Sequence, residues 1–578
     1  MTNDVPDGRV TPIGPSIRPS LQHSAFSIQH CLLLLLAVCP YFIDLAGSSI
    51  WDANEAFYVE TPREMMERGD YVNPTFNYEP RVNKPVLSYW IVAGFYHLFG
   101  VSVGVQRIPI ALGGVGLIVT AFFLARAAAP SGRSAIAAWW AALGLAVSPR
   151  LLMFARRIFI DIYISMFMAL TLLFFALAER YPARRRPFLI LMYVCVGLGV
   201  LTKGPIAALL PGLVFAVYLA VHRELRRTRD MLVPLGTAIV LAIVVPWYAA
   251  LYQQWGWAPI ESFFFGENLA RYVDGVGVNA DRPVWWYLPV VFSDSFPWSL
   301  FLFPAAALWI RERRRASGPV DVSFRIRTLL WIWILAIVGF FSLSTGKQDL
   351  YIYPIVPAIV ALAAVVIARS VEPDSSDAPR TSLVTVVIGG LLIVAGAGFL
   401  VLFNSPLAVY MLAGSALVGA IAIAGGAVAM LLALRRRASA ALVAVACTLV
   451  AVNWVFVLKV LPSFEAYKPA PGLAAVLKER AGPADVIVTY NVALPSLVYY
   501  LRRHIEVFYD NGPVLELLGS GRQVFLMLSR DDYDRAIKPV ATVPLCQVSS
   551  QPTFDVKLRN VLSRQRPPEI LLLTNKCN

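Results

Sequence analysis

About thirteen apolar runs, each long enough to cross a hydrocarbon core some 30 Å thick, recur along this chain and constrain its fold more than any other feature. They lie near 30–50, 106–127, 134–149, 159–178, 187–202, 205–221, 231–253, 288–310, 328–343, 350–368, 381–403, 407–434 and 438–460. Lipid offers no hydrogen-bond partner to a peptide group, so such runs must cross as helices. Composition agrees: 58% of the 578 residues are hydrophobic and 15% are charged, with a mean hydropathy of +0.64, which is too apolar for a soluble globular chain. A further apolar stretch, 86–100, is short and follows Pro85. It reads as an interfacial helix or a span, and only the interfacial reading leaves the number of crossings odd.

The formal net charge of +14 would suggest nucleic acid in a soluble protein. Here the basic residues sit in short loops between apolar runs, where topology accounts for them, and no nucleic-acid partner is expected. Arginines cluster in alternate loops, at 180–186, 223–229, 311–327 and 435–437. By the positive-inside rule these are cytoplasmic, and the loops 51–105, 150–158, 254–287 and 344–349 face outward. Arg156 and Arg157 break the pattern. Residues 1–28 are polar and lack a small-residue cleavage site after the first run, as expected of a disordered cytoplasmic segment ahead of a retained anchor.

Residues 29–461 thus form a membrane domain. From about Pro462 the short runs 485–490, 505–509, 523–528 and 569–573, separated by turn-like or helix-like segments, predict a small extracytoplasmic α/β domain over 462–578. It has no phosphate-binding glycine motif. Cys31, Cys39, Cys195 and Cys447 fall in apolar runs, whereas Cys546 and Cys577 lie in the polar region and could pair in an oxidising compartment. With no CxxC or Cys/His cluster, no metal or cofactor is expected.

Function concentrates in the outer loops. The stretch Ile50–Trp90 holds Asp52, Glu55, Glu60, Glu64, Glu67, Asp70 and Glu79, interleaved with aromatic residues and closed by Lys84-Pro85. A link between two spans needs only a few polar residues. Asp161 opens the run near 159–178, Lys203 sits in the turn TKGP, the loop 254–287 carries Glu261, Glu267, Arg271, Tyr272, Asp274, Asp281 and Arg282, and the turn 344–354 reads STGKQDLYIYP. Charges next to a membrane core are costly and mark function. Lys84, Lys203, Arg271 and Lys347 could hold a phosphate. A carboxylate such as Glu55 or Asp161 could take a proton from a hydroxyl. Tyr58, Tyr351 and Tyr353 could face a sugar ring or an isoprenoid chain. Each also has a plainer reading: a tyrosine in an interfacial belt, a lysine as a snorkelling anchor, Asp161 as the partner of Arg156 or Arg157, and Glu60, Glu64 and Glu67 as a solvated helix face. A transporter or flippase of a lipid-linked sugar is the alternative to an enzyme. It should carry polar residues near the bilayer midplane and inverted repeats, whereas here they cluster at the outer ends.

The ordered set NEAFYVETPREMMERGDYVNPTF, KPVLSYW, FIDIYIS, TKGP, FFFGENLARY, PVWWYLPVVFSDSFPWSL and GKQDLYIYPIVPA, spread over residues 30–370, resembles the polyprenyl-phosphate-dependent glycosyltransferases of the GT-C fold. These are the bacterial relatives of protein O-mannosyltransferases, among them the lipid A aminoarabinose transferases. The resemblance implies a polytopic α-helical protein of the inner membrane, with its site facing the periplasm or outside. It implies a polyprenyl-phosphate-linked sugar as donor and a lipid, glycan or protein as acceptor. It carries Lys84, Asp161, Lys203, Arg271 and Tyr351 over as phosphate and substrate contacts. The family opens its first outer loop with an Asp-Glu pair, and this chain has Asn54-Glu55. The base is therefore expected among Glu55, Asp52 and Asp161, with Asn54 as a substrate contact. The family's arginine after that pair is Phe57 here, and the acid that often precedes the lysine is Asn83. These departures point to a different sugar or acceptor.

Overall fold

The computed structural model describes residues 28–52, 54–275, 282–315, 318, 320–371, 377–406, 408–554 and 566–577. The expected disordered segment, apart from Ile28, and Asp281 lie outside them. Among the described residues, nine helices are long and apolar enough to cross a membrane, from Val103–Ala128 to Ala438–Tyr467. Two helix pairs reach that length only together: Ser131–Ala146 with Pro149–Ala155, bent by 61°, and Val284–Asp294 with Trp298–Arg315, bent by 108°. The single span expected over 288–310 is thus a broken one. Pro149 and Pro297 stand at the two breaks, and a proline has no N–H with which to continue a helix. The breaks are tied together where the Trp298 indole donates to the Gly144 carbonyl at 2.7 Å.

Three shorter apolar helices, Ile28–Tyr41, Leu87–Phe99 and Ile206–Val221, complete the set. At 1.5 Å per residue Leu87–Phe99 is about 20 Å long, shorter than a hydrocarbon core. The helices Ala378–Asn404 and Ser415–Leu434 pack backbone to backbone. A Cβ on Gly389 would lie 2.6 Å from the Gly426 carbonyl oxygen, the close approach that small residues allow between membrane helices.

The helix Ile160–Arg180 gives the molecule its polarity. Asp161 stands in its first turn. Near its other end, about 27 Å away at 1.5 Å per residue, Glu179 binds Arg185 and Arg227 at 2.7 Å and Arg325 at 3.4 Å. Three of the four arginine-rich loops, 180–186, 223–229 and 311–327, therefore gather at the end opposite Asp161. Arg156 and Arg157, the two exceptions to the charge pattern, have structural partners. Arg156 donates to the carbonyls of Pro40, Ile43 and Asp44 at 2.6–2.8 Å, and Arg157 lies 3.6 Å from the centre of the Trp51 ring.

The four strands expected near the C-terminus are present, at Val486–Tyr490, Glu506–Phe508, Val524–Ser529 and Glu569–Thr574. A fifth, Cys546–Pro552, is an edge strand whose polar sequence hides it. Val486–Tyr490 pairs in parallel with Glu506–Phe508 and Val524–Ser529, and Glu569–Thr574 runs antiparallel between Val524–Ser529 and the edge strand. Ile487, Phe525, Met527 and Leu572 pack on one face, and Val488, Leu526, Leu528 and Leu571 on the other. The three central strands, Val486–Tyr490, Val524–Ser529 and Glu569–Thr574, are buried on both faces, which is why they read as continuous apolar runs. Cys546 and Cys577 form a disulfide. The sheet and its flanking helices rest on the first long polar loop. Ser496 N–H donates to Asp52 at 2.9 Å, Ile50 N–H to Tyr500 at 2.9 Å, and Asn77 exchanges two bonds with Ile505.

Candidate active site

Local sequence fixes each wall of the site. Asn54–Arg68 is a helix with Glu55 in its first turn and Arg68 in its last, charges that suit the helix dipole. Successive side chains on a helix point about 100° apart, so neighbours at its start face different surroundings. Asn54 is exposed and lines a cavity of about 710 Å³. Glu55 turns away and is 1% exposed. It accepts from Arg107 Nε at 2.6 Å, Arg107 Nη2 at 2.9 Å and the Trp51 N–H at 2.9 Å. The expectation that Glu55 takes a proton is corrected on this ground: its oxygens are occupied by a buried guanidinium outside the cavity. Asp52 does not line the cavity either. Burial pushes its carboxyl up to about 6 against the Ser496 hydrogen bonds that lower it, and it holds the C-terminal region instead. Glu60 and Glu64, expected on a solvated face, are fully buried. Glu60 pairs with Arg63 at 2.6 Å, and Glu64 accepts from Thr75 at 2.5 Å and the Tyr78 N–H at 3.2 Å.

Asp161 and Lys203 meet across the cavity wall. The acid opens Ile160–Arg180 and the lysine closes Arg185–Lys203, so each sits where the helix dipole favours its charge. The second helix ends at Gly204, at φ +106°, where a Cβ would come within 2.8 Å of Phe263. Both side chains line the cavity and form an ion pair, with the ammonium 5.1 Å from the Tyr351 ring centre. Opposite, the π-helical turn Ser262–Ala270 brings Glu267 inward, a distortion that recurs at functional sites. Glu267 binds Lys84 at 3.1 Å and Arg271 at 2.9 Å. Burial pulls the Lys84 ammonium down to about 8, with Glu267 opposing. Tyr58 lines the cavity stacked on Tyr89 at 5.7 Å. The turn at 344–354 is fastened to this loop by Thr345 N–H to the Tyr272 carbonyl at 2.9 Å and by Arg282 to Asp349 at 2.8 Å.

Of the residues expected at the site, Asn54, Tyr58, Lys84, Asp161, Lys203, Arg271 and Tyr351 converge on one cavity. Lys347 and Tyr353 do not. Lys347 is 4% exposed and donates to the Ser344 carbonyl at 2.5 Å. Tyr353 is fully buried against Phe154. Tyr272 of the loop 254–287 also lines it, as do Arg81, Asn268 and Gln348, which sequence reasoning missed. Arg81 had a signal, since it stands in the Lys84 segment. Its guanidinium lies 4.0 Å from the centre of the Phe57 ring, so the cavity has a guanidinium beside the position where the resemblance expects one.

The cavity is polar at one end and apolar along the other. Four cations, Arg81, Lys84, Lys203 and Arg271, face two carboxylates, Asp161 and Glu267. Ile164, Met168, Ile206, Leu209 and Leu269 continue the wall, and Leu209 and Leu269 are more than half exposed on the outer surface of the helices. Among the described residues no group of three His, Cys, Asp or Glu side chains is placed to hold a metal ion. The arrangement suits a phosphate attached to a long apolar chain, with a carboxylate beside it.

Residues 83–249 match the family model described as dolichyl-phosphate-mannose-protein mannosyltransferase. The chain is 29% identical over 355 residues to undecaprenyl phosphate-alpha-4-amino-4-deoxy-L-arabinose arabinosyl transferase 1 of Pseudomonas fluorescens, covering 59% of this chain and 58% of that protein. It is 30% identical over 359 residues to the transferase of the same description from Pseudomonas aeruginosa, covering 61% and 62%. These alignments thus span less than two thirds of the relatives' own length. The fold is similar to that of ArnT from Cupriavidus metallidurans in its crystal structure bound to undecaprenyl phosphate, with a TM-score of 0.75, 24% identity, and coverage of 95% of this chain and 98% of that one.

Proposed function

We propose that this chain, whose fold is similar to that of ArnT, is a membrane glycosyltransferase taking a sugar from a polyprenyl-phosphate donor and passing it to an acceptor hydroxyl. The observation that carries this reading is the cavity itself. Four cations against two carboxylates leave an excess of positive charge, and apolar side chains of the helices Ile160–Arg180 and Ile206–Val221 continue the wall beside it. A polyprenyl phosphodiester has that shape and that charge. A transporter would set its polar groups near the midplane, whereas Asp161 and Lys203 sit at helix ends.

In this reading the donor phosphate takes hydrogen bonds from Lys84, Arg271 and Lys203. Its hold on Lys203 releases Asp161 from their ion pair. The acceptor oxygen attacks the anomeric carbon as the bond from that carbon to the phosphate oxygen breaks. The electron pair leaves with polyprenyl phosphate, and Asp161 takes the hydroxyl proton. The second negative charge thus appears on the phosphate among the four cations, where it is stabilised most. Tyr58 and Tyr351 flank the reacting sugar.

Binding of polyprenyl phosphate to the protein in lipid nanodiscs tests the phosphate site. Lys84→Ala and Arg271→Ala should each weaken it by roughly 10- to 100-fold, the worth of a hydrogen bond to a charged group. Parental affinity in both folded variants would make these residues membrane anchors and end the reading.

Affinity should also follow pH. Lys84 loses its proton as pH rises through about 8 in the empty site, and the bound anion favours the charged ammonium. Affinity therefore declines above that value. A phosphate monoester gains its second charge near pH 6, so affinity climbs through about 6 and is greatest between the two. A flat profile from pH 7 to 10 in the parent would contradict the role of Lys84.

The orientation we infer has the cavity and residues 462–578 on the outer face and the arginine-rich loops inside. Alkaline phosphatase fused after Asn578 should be active, and an inactive fusion would reverse the orientation.

A further inference from the structure

We infer that the sugar on the donor carries no positive charge: the cavity is built for a neutral, hydroxyl-bearing glycosyl group and selects against an amino sugar. This rests on the reading of the cavity as a polyprenyl-phosphate donor site. It departs from the sugar named for the curated relatives.

Three observations carry it. First, an ammonium entering this space finds no free anion among the described residues. The two carboxylates that line the cavity are Asp161 and Glu267. Glu267 is held by two cations, Lys84 and Arg271, and Asp161 by Lys203. Donor phosphate draws the single cation Lys203 from Asp161, and that carboxylate is needed for the acceptor proton, whereas Glu267 has two cations with several N–H donors between them, enough to bind it and the phosphate together. A carboxylate paired with a sugar ammonium is a poor base.

Second, two of the aromatic rings that line the cavity, whose faces could hold a cation, already hold the chain's own. Arg81 lies over Phe57 at 4.0 Å and Lys203 over Tyr351 at 5.1 Å. Third, Asn54 and Asn83 line the cavity as amides. An amide offers a carbonyl acceptor and two N–H donors, which suits hydroxyl groups and leaves an ammonium without a counter-charge.

The charge balance agrees. The lining side chains carry two more positive than negative charges. A phosphodiester donor with a neutral sugar lowers that excess by one, and transfer leaves it there, because the charge gained by the leaving phosphate is matched by the proton that Asp161 takes. An ammonium on the sugar restores the original excess in a poorly hydrated space, where charges separated by several ångströms still repel strongly.

The test measures binding to the full chain in nanodiscs at pH 7 for four probes: polyprenyl phosphate, polyprenyl-phospho-arabinose, its 4-amino-4-deoxy analogue, and that analogue N-formylated. The arabinose donor and the formylated donor should bind alike, and both about tenfold or more tighter than the amine. Asn54→Asp restores a carboxylate at the cavity and should raise affinity for the amine about tenfold relative to the arabinose donor. Equal or tighter binding of the amine by the parent overturns the inference and leaves the phosphate site intact. A formylated donor as weak as the amine overturns it too, because shape rather than charge is then excluded. Failure of polyprenyl phosphate itself to bind overturns the donor-site reading and the inference with it.

Discussion

Asp161→Asn should lower sugar transfer by about 10²–10⁴-fold while polyprenyl-phosphate affinity holds or rises. The amide keeps the volume and one hydrogen-bond acceptor but cannot take a proton at neutral pH. It also frees Lys203, whose ammonium then meets the phosphate without a competing carboxylate. The split between lost turnover and retained binding separates a base from a structural acid. Folded Glu55→Gln should turn over at a near-parental rate per molecule, because Glu55 faces Arg107 and not the cavity. Near-parental transfer in Asp161→Asn, or collapse in Glu55→Gln without loss of fold, would return the role to the first outer loop.

Arg107→Ala should destabilise the protein by about 3–5 kcal/mol, the cost of stranding one member of a buried ion pair. Arg107 is 2% exposed, and besides Glu55 it donates to the carbonyls of Leu45, Ser48 and Ser49 at 2.7–2.9 Å. One guanidinium therefore satisfies the loop that leads into the helix Asn54–Arg68. The alanine leaves a carboxylate and three carbonyls without it, in a position from which Asn54 and Tyr58 reach the cavity. Thermal unfolding in detergent reads the effect, and a parental melting temperature for Arg107→Ala would refute it. Arg107→Lys restores the charge but not the fork and should fall between the two.

The spans were legible because the membrane fixes them by length and polarity alone. Their arginine-rich ends were legible for the same reason, and Glu179 shows those ends gathered around one buried acid. Lys84, Asp161, Lys203 and Arg271 could be picked out because charges beside apolar runs are rare. What the sequence did not show was direction. Asn54 and Glu55 are neighbours, and the choice of which faces the cavity depends on where their helix starts and on Arg107, 52 positions further along the chain. Lys347 and Tyr353 lie on a turn whose tight winding sends one to a carbonyl and the other into the core. Glu60 and Glu64 look solvated until Arg63, Thr75 and Tyr78 close over them. The edge strand Cys546–Pro552 was missed because an edge needs no apolar pattern.

Single turnover in nanodiscs tests sugar transfer at this cavity most directly. Excess protein is mixed with a radiolabelled polyprenyl-phospho-arabinose and an envelope lipid and glycan extract, and free polyprenyl phosphate is followed together with label in the acceptor. The parent should release polyprenyl phosphate and label the acceptor in step, Lys84→Ala and Arg271→Ala should bind little donor, and Asp161→Asn should hold the donor without releasing it. Release by Asp161→Asn at the parental rate, or a parent that binds the donor and labels nothing, would contradict transfer by this site.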